Sequence, residues 1–227
     1  MKSVTKGLPP TSFEDWKASA NADWEPTYPV LRDPQKRDLH TALLAEQGGV
    51  CCYCGRSVGL NDSHIEHFRP QRGKYSHLQL SYDNLFASCF RELDPGMPLH
   101  CGHAKGNKFD EEQHISPLDI TCEERFIYTQ LGDVVPLDPL DSPAKYMMNL
   151  LALNTPSLRN AREDAVSRVF DADFLVTVSS DELRLLRDAY RSRDGEGRLL
   201  DFGHVVARYA EQRLNDAPDL PPAPAAI

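Results

Sequence analysis

The sequence has no long apolar run, either at its start or further along. No segment approaches the ~18 consecutive apolar residues that a membrane-spanning helix needs. The first residues, MKSVTKGLPPTSFEDW, carry proline and charge where a secretory signal would be apolar. We therefore expect a cytoplasmic protein with no membrane association. Because the cytosol keeps thiols reduced, the six cysteines are expected to be free thiols or metal ligands rather than disulfides.

An excess of positive charge is also missing. The 227 residues carry 34 acidic and 25 basic side chains, giving a net charge of −9. This balance excludes a protein whose whole surface coats nucleic acid. The charge is uneven, because residues 64–108 hold six basic and four acidic side chains and five of the eight histidines. This window is +2 and the remainder is −11, a pattern that is compatible with a single polyanion-facing site.

Hydrophobic periodicity and turn signals give the order of elements in the first half of the chain. Residues 1–30 are predicted to be an irregular segment pinned to the body by two tryptophans. The pattern after Pro34 predicts a helix that ends at Gly48 and Gly49. Further along, SHIEHFRP is predicted to be a short strand, and SYDNLFASCF a loop entering a turn or short helix.

The second half of the chain is predicted to be a hairpin followed by helices. ERFIYTQLGDVVPL alternates around a turn at 131–133. Helices capped by Ser157 and Ser180 and a third from Leu199 to Leu214 follow. The resulting segments are 1–47 (N-terminal segment and helix), 48–115 (core), 116–156 (hairpin and connector), 157–215 (helical region) and 216–227 (disordered tail).

Four of the cysteines have spacings compatible with one metal site. Cys51 and Cys54 form a C-x-x-C knuckle, which lets two thiolates converge on one tetrahedral ion. Cys89 and Cys101 supply a second pair if FRELDPGMPLH is a looped insertion. The pattern predicts a closed, structural four-cysteine zinc site, and buried thiols without metal are the alternative. Two other cysteines are available as substitutes: Cys52 and Cys122.

A series of motifs surrounds these cysteines. In chain order the sequence contains C-x-x-C, E-H-x-x-P, N-L-x-x-x-C and C-x-H-x-K-G. This series resembles the HNH nuclease motif in its zinc-stapled ββα-metal form. The runs LLAEQGGVCCYCGR, SHIEHFRPQ, HCGHAKGN and SPLD, with the hairpin, more closely resemble the HNH endonuclease subunit of retron and Septu-type anti-phage defence systems. The likeness extends from the N terminus to about residue 170.

The resemblance implies phosphodiester hydrolysis, which requires a base, a divalent cation and a scaffold that holds both. By motif position His67 is the general base, and Glu66 and His103 are the ligands of a catalytic Mg²⁺ or Mn²⁺. Asn84 is implied to fix the loop that orients the base. Phosphate contacts are expected from two basic side chains close to the metal ligands in sequence: Arg69 and Lys105.

Two departures from the motif leave other residues as candidates for the catalytic roles. An ideal strand puts His64 and Glu66 on one face and His67 on the other, so His64 is a rival. Gly102 occupies the position after the second cysteine where many HNH motifs carry Asn or His. Two further candidates follow from this shift: His100 and Asn107.

These observations predict an α+β chain with a zinc-stapled HNH ββα-metal core, an N-terminal extension and a helical C-terminal region. The expected function is metal-dependent endonucleolytic cleavage of nucleic acid, with DNA as the expected substrate. The resemblance implies a partner, an ATPase of the ABC/SMC-like class. The alternatives are a non-catalytic zinc module that binds nucleic acid or protein, and an HNH nuclease that acts alone.

Overall fold

The computed structural model describes residues 1–92 and 96–216. In these ranges the chain combines α-helices with two small two-stranded sheets, so the α+β prediction is confirmed. The helices are α1 (Thr11–Ala18), α2 (Gln35–Glu46), α3 (Cys101–Lys105), α4 (Ser142–Leu150), α5 (Pro156–Ser167), α6 (Ala172–Thr177), α7 (Ser180–Arg191) and α8 (Gly203–Asp216). The strands are β1 (Ser63–His67), β2 (Leu85–Cys89), β3 (Phe126–Tyr128) and β4 (Val134–Pro136). Apart from Asp216, the expected disordered tail lies outside the described residues.

The N-terminal segment is more regular than its composition predicts, because it contains α1. Phe13 and Trp16 are three residues apart and share a helix face, and their rings stack at 6.2 Å. Trp24 meets Trp16 edge-on at 5.6 Å. Phe13 lies in the apolar core and Trp16 packs against it, so the expected anchoring is seen for Trp16, whereas the prediction of a wholly irregular segment is wrong.

The helix predicted after Pro34 is α2, which delivers the chain to the first cysteine pair. Its buried face carries Leu39, Leu43 and Leu44. The chain leaves the helix through Gly48 and Gly49, both with φ of +68°, a conformation that glycine adopts without steric cost.

Strands β1 and β2 form an antiparallel hairpin that carries the candidate site. Ser63 pairs with Cys89, and His67 pairs with Leu85. The prediction of a loop at β2 is wrong. All five residues of β2 are buried, so the strand lacks the alternation of polar and apolar residues that identifies a half-exposed strand from sequence.

Helix α3 follows β2 and packs against it. Its first residue, Cys101, donates its backbone N–H to the carbonyl of Leu151 at 2.8 Å, which ties the helix to the end of α4. The Gly102 N–H donates to the hydroxyl of Ser88 in β2 at 3.1 Å. These bonds hold the start of α3 against the end of β2, and so bring Cys101 close to Cys89.

The C-terminal half agrees with the sequence in its main elements. Strands β3 and β4 pair with Phe126 opposite Pro136, as the hairpin prediction requires. Helices α5, α7 and α8 are the three predicted helices. The cap of α5 lies two residues before Ser157, that of α7 lies one residue before Ser180, and α8 begins four residues after Leu199. Ser179 caps α7 in a reciprocal capping box with Glu182. Helices α4 and α6 add two helices beyond those predicted.

One apolar core joins these parts. It runs from α1 and α2 through the β1–β2 hairpin to α5 and α8. Within the described ranges, no helix has both the length and the apolar character that crossing a membrane would require.

Candidate metal centre and adjoining cleft

The four cysteines with ligand spacing meet in one buried cluster. The thiols of Cys51, Cys54, Cys89 and Cys101 all lie within 4.8 Å of one another. The first two come from the turn after α2, the third ends β2, and the fourth begins α3. The sulfur atoms of Cys54 and Cys89 are 3.4 Å apart. The expected grouping is confirmed, and it is consistent with a structural zinc site.

The chemistry of this donor set fits a divalent cation. Burial and the neighbouring Cys51 raise the pKa of the Cys101 thiol well above its usual value. Burial also opposes ionisation of Cys51, but hydrogen bonds from the surrounding thiols outweigh it and lower the pKa of that thiol. Hydrogen bonds among the thiols thus favour ionisation at Cys51. A bound Zn²⁺ would replace the remaining protons and balance the buried negative charge.

The alternative ligands lie outside this arrangement. Cys52 and Cys122 are buried, but neither belongs to the cluster. The Nδ1 of His100 lies 3.1 Å from the sulfur of Cys101, and burial lowers the pKa of His100 to about 4. His100 therefore lies against the cysteine cluster and does not line the neighbouring cleft.

A cleft of about 210 Å³ opens beside the cluster. It collects most of the residues that the motif singled out. Its lining consists of Tyr28, His64, Ile65, Glu66, His67, Pro70, Gln71, Gly102, His103, Gly106 and Asn107.

Glu66 and His64 project together on one face of β1, as strand alternation predicts. The Nε2 of His64 lies 3.4 Å from a carboxylate oxygen of Glu66, and its Nδ1–H donates to the carbonyl of Phe90 at 2.7 Å. Burial disfavours charge on both side chains, yet their interaction raises the pKa of His64 and, with help from Lys105, lowers that of Glu66. The facing nitrogen and oxygen need a proton or a cation between them.

Gly102 makes this close approach possible. A Cβ at this position would lie 2.6 Å from a carboxylate oxygen of Glu66 and 2.8 Å from the Nε2 of His64. Many HNH motifs carry a side chain at the position after the second cysteine. Here that position is Gly102, and the imidazole of His64 lies where its side chain would be. Side chains of β1 thus fill the space that a larger residue at position 102 would need.

His103 lies beside this pair rather than within it. Its ring centroid is 4.4 Å from that of His64, and its Nε2–H donates to the same carbonyl of Phe90 at 3.0 Å. Among the residues described, the four cysteines are the one set of three or more candidate ligands whose donor atoms all lie within 4.8 Å. Glu66 thus contacts His64 and, among the described ion pairs within 4 Å, makes no contact with His103. The predicted Glu66–His103 ligand pair stays a prediction.

His67 ends β1 and lines the same cleft as Glu66 and His64. Because the carbonyl of Gln79 can only accept, the Nε2–H of His67 donates to it at 3.0 Å, leaving Nδ1 as a proton acceptor. The ring of Tyr28 meets it edge-on at 4.4 Å. Burial lowers the pKa of His67 despite that hydrogen bond, so the neutral imidazole is favoured.

Asn84 lies immediately before β2 and ties together the loop that follows β1. Its side-chain oxygen accepts from the N–H of Arg69 at 2.7 Å, and its amide donates to the carbonyls of Arg69 and Leu78. Its own carbonyl accepts from the N–H of Phe68 at 2.9 Å. The loop-fixing role that the resemblance implies is supported by these bonds and stays a prediction.

The two expected phosphate contacts are placed differently from one another. Lys105 is 1% exposed, and its ammonium binds a carboxylate oxygen of Glu66 and the carbonyl of His67, each at 2.8 Å. The charge of Lys105 is thus paired inside the protein, and its expected phosphate contact stays a prediction. Arg69 is half-buried, with its guanidinium 5.4 Å from the ring centroid of Phe109.

Sequence reasoning missed one polar contributor to the site. The hydroxyl of Tyr53 donates to Glu66 at 3.2 Å, so this carboxylate has partners on three elements. Tyr53 stands inside the C-x-x-C knuckle, between ligand positions, and its burial next to Glu66 depends on how β1 packs on the knuckle. No sequence signal distinguishes it from an ordinary core tyrosine.

The fold and site thus define a protein with a four-cysteine site, consistent with structural zinc, beside a cleft lined by carboxylate and imidazole groups. The chain is similar to a Vibrio cholerae serotype O1 biovar El Tor protein named "Retron Vc95 putative HNH endonuclease". The two are 26% identical over 153 residues, which cover 65% of this chain and 68% of the relative. This distant similarity supports an HNH endonuclease family. No protein-family profile matches the chain.

Proposed function

We propose that this chain is a metal-dependent HNH endonuclease that hydrolyses phosphodiester bonds in nucleic acid, with DNA as the first candidate. The observation that carries the proposal is the cleft in which Glu66, His64 and His67 converge on a β1–β2–α3 unit beside the cysteine cluster. The similarity to a protein whose name includes HNH endonuclease supports the same reaction.

The residues of the cleft fit a hard divalent cation. Right-angled ligands of one Mg²⁺ ion lie about 3 Å apart, given bonds of about 2.1 Å, and the Glu66 oxygen and His64 nitrogen are 3.4 Å apart. We propose that Glu66 and His64 hold the ion, with His103 as the alternative nitrogen ligand. When bound, a divalent cation would stabilise negative charge on the phosphate and on the leaving oxygen.

His67 is the proposed general base. The carbonyl of Gln79 fixes its ring through Nε2–H, and burial lowers its pKa, so that Nδ1 is available to take a proton from water. The loop bonds of Asn84 hold the backbone that follows His67. Lys105 balances the charge of Glu66 from the interior, and so we propose a positioning role for it in place of a phosphate contact.

A defence context and an ATPase partner form a further part of the proposal. Their support is the retron in the relative's name together with the sequence motifs. The acidic chain adds a physical reason, since its net charge of −9 opposes unassisted binding to DNA. Equal rates of DNA cleavage with and without a co-encoded ABC/SMC-like ATPase would refute a dependence on that partner.

The reaction is tested with supercoiled plasmid, a single-stranded RNA and a chromogenic phosphodiester, each with Mg²⁺ or Mn²⁺. Wild type is compared with His67→Ala, His64→Ala and His103→Ala after zinc content has been measured. The matched control is His77→Ala, since His77 is exposed and lies outside the cleft. We expect His67→Ala to lower the rate by about 10²-fold or more with zinc retained, as for loss of a general base.

The ligand variants decide between the two imidazoles. If His64 holds the ion, His64→Ala weakens the activation by Mn²⁺ more than His103→Ala does, measured as the metal concentration at half-maximal rate. Unchanged cleavage by His67→Ala would exclude it as the base. Absence of hydrolysis of every substrate with either metal would favour the non-catalytic zinc module.

A further inference from the structure

A second polar depression adjoins the cleft on the side of α2. It has a volume of about 500 Å³ and lies between the first turns of α2, the start of β1 and the chain just after β2. We call it the α2 groove. Its charged lining residues are Asp33, Lys36, Arg37 and Arg91, with histidines His40 and His64 beside them.

The α2 groove is cationic in a chain that is acidic overall. Three permanent cations, Lys36, Arg37 and Arg91, face one carboxylate, Asp33, whereas the whole chain carries −9. In the two ranges that the structure describes, none of these three cations forms an ion pair within 4 Å. Their charges are therefore not neutralised by a carboxylate of the described residues and are available to an anion in the groove.

The groove and the cleft adjoin one another. Tyr28, His64 and Ile65 line both. The ammonium of Lys36 lies 5.5 Å from the ring centroid of Tyr28, at the junction between them. A polymer whose backbone enters the cleft at His64 would therefore continue along α2, whereas a small anion would need only one of the two depressions.

The floor of the groove is neutral and fixed. The Nε2 of His40 and the hydroxyl of Ser63 are 2.8 Å apart, and that hydroxyl donates to the carbonyl of Gly59. Burial, and then the charges of His64 and Arg91, lower the pKa of His40 to about 4. The positive charge of the groove thus comes from its rim, where long side chains can follow a flexible strand.

We propose that the α2 groove binds the sugar–phosphate backbone of a nucleic acid strand next to the scissile bond, with Lys36, Arg37 and Arg91 contacting successive phosphates. This inference rests on the proposed nuclease function, and it gives the substrate a direction across the protein. Two of the three contacts lie outside the 64–108 window that carries the basic charge in the sequence.

The test measures binding without cleavage, in buffer with no added Mg²⁺ or Mn²⁺. Fluorescein-labelled single-stranded DNA, duplex DNA and single-stranded RNA of one sequence are titrated with the full chain, and anisotropy is followed from low to high salt. The test variant combines Lys36→Ala, Arg37→Ala and Arg91→Ala. The matched control removes the same charge from exposed positions outside the groove: Lys145→Ala, Arg168→Ala and Arg184→Ala.

Loss of three phosphate contacts should weaken binding to the preferred strand about tenfold or more and make the log–log salt slope shallower by about 2. The control variant should keep wild-type affinity. Zinc content and melting temperature establish that both variants are folded. An equal loss in both variants, an unchanged slope in the groove variant, or no binding of any strand by wild type would overturn the proposal.

The outcome for the groove is separable from that for the reaction. If wild type hydrolyses nucleic acid but the groove variant binds like wild type, the nuclease function stands and the groove assignment fails. If wild type hydrolyses nothing while the groove variant alone loses affinity, the groove assignment stands as a nucleic-acid surface and the proposed reaction fails.

Discussion

The cysteine cluster and the adjoining cleft meet at the start of α3, yet they differ in the side chains that supply their donor atoms. The cluster uses four thiols of one kind, all buried and mutually close. The cleft pairs a carboxylate with imidazoles, and its donors also bind backbone carbonyls and Lys105. The cluster thus fits one role, holding the chain together, whereas in the cleft Glu66 and His64 each favour the charged form of the other.

The sharpest test of this difference is removal of one thiol. We expect Cys54→Ser to lose its zinc and its cooperative thermal unfolding, because binding of a structural zinc ion contributes about 10–16 kcal/mol to folding in small zinc domains. Zinc per chain by atomic emission and the melting transition by calorimetry measure both effects.

The control for this change is Cys122→Ser, which alters a buried thiol outside the cluster. It should retain one zinc per chain, with only a modest fall in melting temperature. If Cys54→Ser kept its metal and unfolded like wild type, the cluster would be a group of packed thiols.

The same contrast explains what the sequence could reveal. The C-x-x-C spacing predicts that Cys51 and Cys54 converge, whereas the choice of Cys89 and Cys101 as the second pair becomes definite only in the fold. The pairing of Glu66 with His64 follows from strand parity, which the sequence also contains. The burial of Lys105 beneath Glu66 could not be predicted, because it depends on how α3 packs against β2. Strand β2 itself was hidden by the burial of both its faces.

The α2 groove shows the same limit from another direction. Lys36 and Arg37 stand about 55 residues before Arg91 in the chain. The basic window of residues 64–108 therefore includes Arg91 but not the other two cations. Only the packing of α2 beside the start of β1 brings the three cations to one depression. Counting charges over one stretch of sequence therefore cannot identify a surface that is assembled from distant segments.

A second, smaller effect is expected in the cleft from Glu66→Gln. This change removes the carboxylate that neutralises Lys105, while the similar shape of glutamine preserves packing. An uncompensated buried charge costs about 3–5 kcal/mol, so we expect the urea midpoint to fall at saturating zinc. Zinc content should stay at one per chain, which would separate the role of the cleft from that of the cluster.

The matched control is Glu111→Gln, because Glu111 forms an exposed pair with Lys74 at 2.8 Å. Both side chains of that pair are more than half exposed, at 71% and 57%, so solvent screens the charge and we expect an unchanged midpoint. Similar losses in the two variants would mean that Lys105 is not stabilised by Glu66 in the way its burial indicates.

The smallest effect should come from Gly102→Ala, at the boundary between the cluster and the cleft. The added methyl group would lie 2.6 Å from Glu66 and 2.8 Å from His64, and forcing a methyl group into a packed site costs about 1–3 kcal/mol. We expect zinc to be retained and phosphodiester hydrolysis to fall. Gly195→Ala is the control, since a Cβ there meets nothing within 4 Å.

The double variant Gly102→Ala with His64→Ala identifies the cause of that loss. Removing the imidazole leaves space for the methyl group, so the stability cost of the alanine at position 102 should be smaller in the His64→Ala background than in wild type. Residues in contact show such coupling, whereas independent sites add. Additive costs in urea denaturation would mean that His64 does not fill the space beside Gly102, and the structural basis for choosing it over His103 as the metal ligand would be lost.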